Sequence, residues 1–153
     1  MAFLETKLPA PFVALAIAAG MWLYWRDTQV MASSWDLRIA VSVAISQFSA
    51  ALVLAAFVAF RRAHTTINPM HPERAAALVT HGIYRFTRNP MYLSLVLLLL
   101  AYAIRFDAVG ALGGPVVFAA YVTRFQVLPE ERALEAKFGM QYADYCRRVR
   151  RWF

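Results

Sequence analysis

The sequence predicts an all-α integral membrane protein of about four transmembrane helices, with a C-terminal helical hairpin and a cytosolic C-terminal helix. Three observations carry this expectation. Hydrophobic residues make up 61% of the 153-residue chain and charged residues 16%, against roughly 45–50% and 25% in a soluble domain. The apolar residues gather into four stretches long enough to suggest helices in lipid. The basic residues gather between and after particular stretches instead of being spread evenly.

The chain is read as a single domain, 1–153, with spans at about 9–25, 37–60, 90–106 and 108–127 and a cytosolic helix at about 129–151. The first apolar stretch follows Lys7, as the apolar core of a signal peptide follows its basic start. Trp22, Tyr24 and Trp25 extend it as interfacial aromatics, so it is kept as a span. The second is long enough for a full crossing. The third and fourth are separated only by a short link at Arg105, Phe106 and Asp107, which makes them antiparallel neighbours. Each is brief for a crossing, and Arg105 and Arg124 are expected to snorkel to opposite interfaces. Gly113 and Gly114 are placed where a neighbouring helix approaches closely. The tail from Pro129 onward reads as one helix, with Glu130, Glu131 and Glu135 early and arginines late, matching the macrodipole.

Topology explains the net charge of +7. The segment 61–88 holds Arg61, Arg62, Arg74, Arg85 and Arg88 against Glu73, and the tail holds Arg132, Lys137, Arg147, Arg148, Arg150 and Arg151. The other two connections balance. The positive-inside rule puts the basic side and both termini in the cytosol. Nucleic acid, which such a charge would suggest for a soluble protein, is therefore not an expected partner; the lipid bilayer is. Cys146 is the only cysteine, and His64, His71 and His81 lack companions at ligand spacing, so no disulfide or metal site is expected.

Chemistry-bearing residues crowd the expected cytosolic side. One run is Leu78-Val79-Thr80-His81-Gly82-Ile83-Tyr84-Arg85-Phe86-Thr87-Arg88-Asn89-Pro90-Met91-Tyr92; the other begins at Glu130-Glu131 and continues through Phe138-Gly139 to Tyr142 and Tyr145. A hairpin brings the two together. Asn89 and Pro90 read as the N-cap and first residue of the third helix. That open helix end, with Arg88 beside it, also suits an anionic group. The two glutamates read either as helix-start acids paired with arginines or as partners for a cationic or hydroxyl-bearing ligand. Tyr84, Tyr92, Tyr142, Tyr145 and Phe86 are interfacial aromatics or the wall of a pocket whose ring faces attract a cation. A ligand at once anionic, cationic and aromatic fits this set, and S-adenosylmethionine is one candidate among several.

The two runs, in this order and spacing, resemble the isoprenylcysteine carboxyl methyltransferase family, with a looser similarity to membrane phospholipid methyltransferases, over roughly residues 65–150. The resemblance implies a four- or five-helix membrane fold enclosing S-adenosyl-L-methionine on the cytosolic side. It implies cofactor contacts from Leu78, Val79, Tyr84, Asn89, Pro90, Met91, Tyr92 and Glu130, with Arg88 and Glu131 flanking them as catalytic residues. It also implies a lipophilic or small apolar methyl acceptor. Two positions depart from the pattern. Asn89 stands where the family commonly has His, and Gln126 stands where eukaryotic members have a substrate-contacting Arg; Arg124 lies two residues earlier. Which of Gln126 and Arg124 meets substrate, and which atom is methylated, stay open, as does oligomeric state. Two other classes compete: a non-catalytic membrane adaptor whose basic tail binds anionic lipid or a partner protein, and a small transporter subunit, against which the lack of mid-span charge argues.

Overall fold

In a computed structural model of the chain, residues 8–26, 35–63, 77–106 and 109–152 are described. Lys7, His64, His71, Glu73, Arg74 and Asp107, which entered the sequence argument, lie outside the described residues. The described residues are helical, with no strand among them. Helix α1 is Ala10–Arg26, α2 is Trp35–Arg62 and α3 is Pro90–Phe106, close to the expected first three spans. A short 3-10 turn, Gly82–Arg85, precedes α3.

The fourth span differs from expectation at its end. A 3-10 turn at Val109–Leu112 leads into α4, Gly113–Val122, then a π-helical turn, Thr123–Val127, and α5, Leu128–Phe138, with no break in the helix. The expected fresh helix at 129–151 is therefore two pieces. Its first part is the continuation of the fourth span; a second helix, α6, runs Met140–Arg148. Gly139 makes the corner, at φ +48° and ψ −121°, a backbone conformation that side-chain-bearing residues rarely adopt. Beyond α6 the chain is extended at Val149.

Two helical stretches, Asp36–Arg62 and Val109–Phe138, are long and apolar enough to cross a membrane; Ala10–Arg26 and Pro90–Phe106 are shorter apolar helices. Only 22% and 33% of the most apolar windows of the two longer stretches are buried, whereas a core helix of a soluble protein is mostly covered. Leu37, Phe48 and Leu54 on α2, Phe12 and Leu15 on α1, and Val116 and Val117 on α4 are all more than half exposed. Apolar surface on that scale needs lipid or another apolar partner.

Helix α3 is the centre, packed against α2 on one side and against α1 and α4 on the other. The buried face of α2 is Ser42, Ser49, Leu52, Ala56 and Ala59, a stripe of mostly small side chains that lets two backbones approach. Across this seam the buried Ser49 hydroxyl donates to the Ser94 carbonyl at 2.7 Å. Ala10, Ala14 and Met21 of α1 join Tyr92, Leu99, Ala103 and Phe106 of α3 and Phe118, Val122 and Val127 in one core. Close approach to α1 uses Gly114, where a Cβ would meet Met21, and Gly110, where it would meet Tyr24; Gly113, expected to serve this purpose, faces open space.

Contacts fix the relative directions of the helices. Gln126 donates to the Leu8 carbonyl at 2.6 Å, so α1 starts where the fourth span ends. At the opposite end Trp25 stacks on Phe106 with ring centroids 5.0 Å apart. The start of α3, the π turn and the start of α1 thus share one end of the bundle. That same Gln126 is buried and engaged with α1, so its amide serves the helix start.

Candidate active site at the hairpin end

Proline at the first position of α3 needs no amide partner, and the Asn89 carbonyl accepts the Leu93 N–H at 2.9 Å to open the helix. The Asn89 side chain does not cap its own helix as expected. Its Nδ2 donates instead to the carbonyl of Arg151 at 3.0 Å. Within the first turn of α3, the Tyr92 hydroxyl donates to Glu130 Oε1. Arg88 Nη1 lies 3.2 Å from Glu131 Oε1, with both side chains largely buried. The two sequence-distant runs therefore meet, and both acids are engaged by residues at the start of α3.

The π turn bears on this register. A single π turn inserts one residue into the helical count; an α-helix advances about 100° per residue. The turn at 123–127 thus rephases α5 relative to α4, with Glu130 and Glu131 directed at α3.

Around the acids sits a layer of aromatic side chains. Tyr84, Tyr92, Tyr142 and Tyr145 are buried, whereas Phe86 is 72% exposed and takes no part in the wall, contrary to expectation. Tyr145 donates to the Tyr84 carbonyl at 2.7 Å, tying α6 to the 3-10 turn. Val79 and Tyr84 pack with Ala56 and Ala59 of α2, and Met91 lies against them. Leu78 packs with Tyr142, Tyr145 and Val149, as do Leu134 and Phe138. Arg85 and His81 point outward and are exposed. Of the residues expected to touch a ligand, Arg88, Asn89, Tyr92, Glu130 and Glu131 are joined by direct or shared contacts, while Leu78, Val79, Tyr84, Pro90 and Met91 form the surrounding apolar layer.

Their partners distinguish the two glutamates. Glu130 accepts from the Tyr92 phenol; Glu131 instead holds two guanidinium groups. Arg151 grips it bidentately, Nε to Oε1 at 2.9 Å and Nη2 to Oε2 at 2.7 Å, and this hydrogen bonding holds Arg151 further into its charged range. The Tyr84, Tyr142 and Tyr145 hydroxyls are all pushed above their ordinary range, chiefly by burial. They remain protonated donors.

Three participants were not singled out by sequence reasoning. Thr87 accepts the Asn89 N–H at 3.2 Å and donates to the Arg151 carbonyl at 3.3 Å. The Cys146 thiol, considered in the sequence only for disulfide and metal chemistry, accepts from Arg88 Nη1 at 2.6 Å. Arg151 was counted only as tail charge. Gly139 was the one signal for Arg151 in the sequence: a glycine after a helical run marks a helix end, and a break there returns the tail to α3.

An all-α membrane bundle with a charged, aromatic-walled site at the end of a helical hairpin is the class that fold and site define. The chain belongs to the phospholipid methyltransferase family, whose family model matches residues 37–141, a range that includes nearly all of α2, then α3, α4 and both acids. Among curated proteins, the chain is 34% identical over 99 residues to protein-S-isoprenylcysteine O-methyltransferase A of Arabidopsis thaliana, covering 62% of this chain and 48% of that enzyme. The chain thus spans about half the length of the plant enzyme. It is 44% identical over 62 residues to an uncharacterized protein of Haemophilus influenzae, covering 40% of this chain and 98% of that protein. No solved structure matches it.

Proposed function

We propose that the protein is an S-adenosylmethionine-dependent methyltransferase acting on an apolar or amphipathic acceptor at the cytosolic face of a membrane it crosses four times, with both termini in the cytosol. The observation that carries this reading is the joining of the hairpin ends, Tyr92 to Glu130 and Arg88 to Glu131. Family membership and the relationship to the plant enzyme support the reaction class.

The residues present fit such a cofactor. Arg88 Nε is buried without a hydrogen-bond partner, a costly state for a charged donor that an incoming carboxylate would relieve. Arg88 and Arg151 together carry one more charge than Glu131 neutralises, which favours an anion there. Glu130 and the ring faces of the tyrosines suit a cation. Val79, Tyr84 and Met91 offer apolar cover to a nucleoside. When bound, S-adenosylmethionine supplies an electrophilic methyl group on a sulfonium centre. The chain's own contribution is to orient and to exclude water. Holding reactants in line is worth about 7–11 kcal/mol in favourable cases, so a site without an obvious general base is adequate for a nucleophile that arrives as an anion, a thiolate or a carboxylate.

A route for the acceptor is supported by an open groove of about 650 Å³ beside α4, lined by Val96, Pro115, Ala119, Thr123, Arg124 and Leu128. Its apolar walls suit a hydrocarbon chain, and Arg124 is the charged residue among those lining it. The reading is tested by incubating the purified protein with membranes of the expressing cells and methyl-labelled cofactor. Protein-dependent label in the organic extract, lost in Arg88→Ala, is the expected result. Its absence in the presence of folded protein contradicts the proposal.

A further inference from the structure

The chain between Val149 and Trp152 lies across the start of α3, anchored at both ends. Val149 is buried with Tyr142 and Tyr145, and Trp152 packs against the α1–α3–α4 core. Between these anchors the polar contacts of Arg150 and Arg151 with other described residues fall on the candidate site. The Arg150 carbonyl accepts the Arg88 N–H at 3.1 Å. The Arg151 carbonyl accepts from Asn89 Nδ2 and Thr87 Oγ1, and the Arg151 guanidinium grips both oxygens of Glu131. Apolar anchoring alone would not require this convergence on three consecutive residues and an acid.

Resting on the function proposed above, we infer that the Val149–Trp152 segment is a strap that completes the cofactor site, with Arg151 as its positioning residue. The argument is one of charge. Glu131 Oε1 is shared between Arg88 and Arg151. With Arg151 in place, Glu131 is satisfied from the solvent side, and Arg88 keeps positive charge in excess for a ligand carboxylate. Without Arg151, Glu131 neutralises Arg88, and the carbonyl that orients Asn89 is no longer held. Arg151 therefore acts through Glu131, Arg88 and Asn89, with no contact to the ligand required of it.

The test is calorimetric titration of S-adenosylmethionine into the full-length protein in detergent, with thermal unfolding followed in parallel. Charge-assisted hydrogen bonding of this kind predicts about a tenfold loss of affinity in Arg151→Ala, with Arg151→Lys intermediate. Arg148→Ala, which removes an equal charge from the exposed face of α6, retains wild-type affinity. Adding Glu131→Gln to Arg151→Ala recovers part of the loss, because the unneutralised acid is gone; a purely structural tail would show two independent losses. Equal binding by Arg151→Ala and the wild type overturns the inference while leaving the methyltransferase reading intact. If Arg151→Ala does not fold, wild-type affinity in Arg151→Lys overturns it instead. Failure of the wild type itself to bind overturns the reading beneath it.

Discussion

Glu130 and Glu131 are adjacent in sequence yet chemically unlike. Glu131 meets two arginines, whereas Glu130 accepts from the Tyr92 phenol. Glu130→Gln keeps the shape and removes the charge, so S-adenosylmethionine affinity is expected to fall about tenfold as the cationic ligand loses its counter-charge; an unchanged Kd in calorimetric titration would refute the assignment. Tyr92→Phe, which removes the donor that orients Glu130, should weaken binding less than Glu130→Gln does. Both glutamates and Tyr92 were legible as candidates from residue type and spacing. Their division of labour was not, because it depends on Arg151, twenty positions from Glu131 and silent in any local pattern.

At the scale of elements, α1, α2 and α3 follow from apolar run length, and α3 also from its Asn-Pro start. The π turn did not: it leaves no compositional mark, since it is a change of hydrogen-bond register within an apolar helix. Nor did the division of the C-terminal helix. Macrodipole-matched charges favour a continuous helix over 129–151, and Gly139 alone marks the break. At its φ of +48°, Gly139→Ala is expected to cost about 1–3 kcal/mol, read as a lower thermal midpoint. It should also weaken cofactor binding, since α6 and the strap hang from this corner. An unchanged midpoint would mean the corner is not strained. On the other side of α3, Ser49→Ala removes a hydrogen bond between helices. In lipid such bonds average about 0.6 kcal/mol, so a small loss of stability with unchanged cofactor affinity is expected; a large drop in affinity would show that the α2–α3 seam bears on the site.

For the whole molecule, contacts among the described residues put the start of α1, the end of α2, the start of α3 and the α4–α5 junction at one end of the bundle, the end that the proposed topology makes cytosolic. Reporter fusions after Arg26, Ala63, Phe106 and the C-terminus are expected to alternate, with the second and fourth cytosolic; two successive positions on the same side would break the four-span topology. The arginine distribution is the ground for the proposed side, whereas the packing order left no mark in the sequence: nothing in one sequence says that α3 sits centrally with α1 against the α3–α4 groove. The claim on which the rest depends is that the start of α3 and the acids of α5 form a single cofactor site. Direct titration of S-adenosylmethionine into the purified wild-type protein, beside an Asn89→Ala and Glu130→Ala double variant, tests it most directly. The account predicts saturable one-site binding by the wild type and little or none by the variant at equal helical content. Equal binding by both, or none by a fully folded wild type, would contradict it.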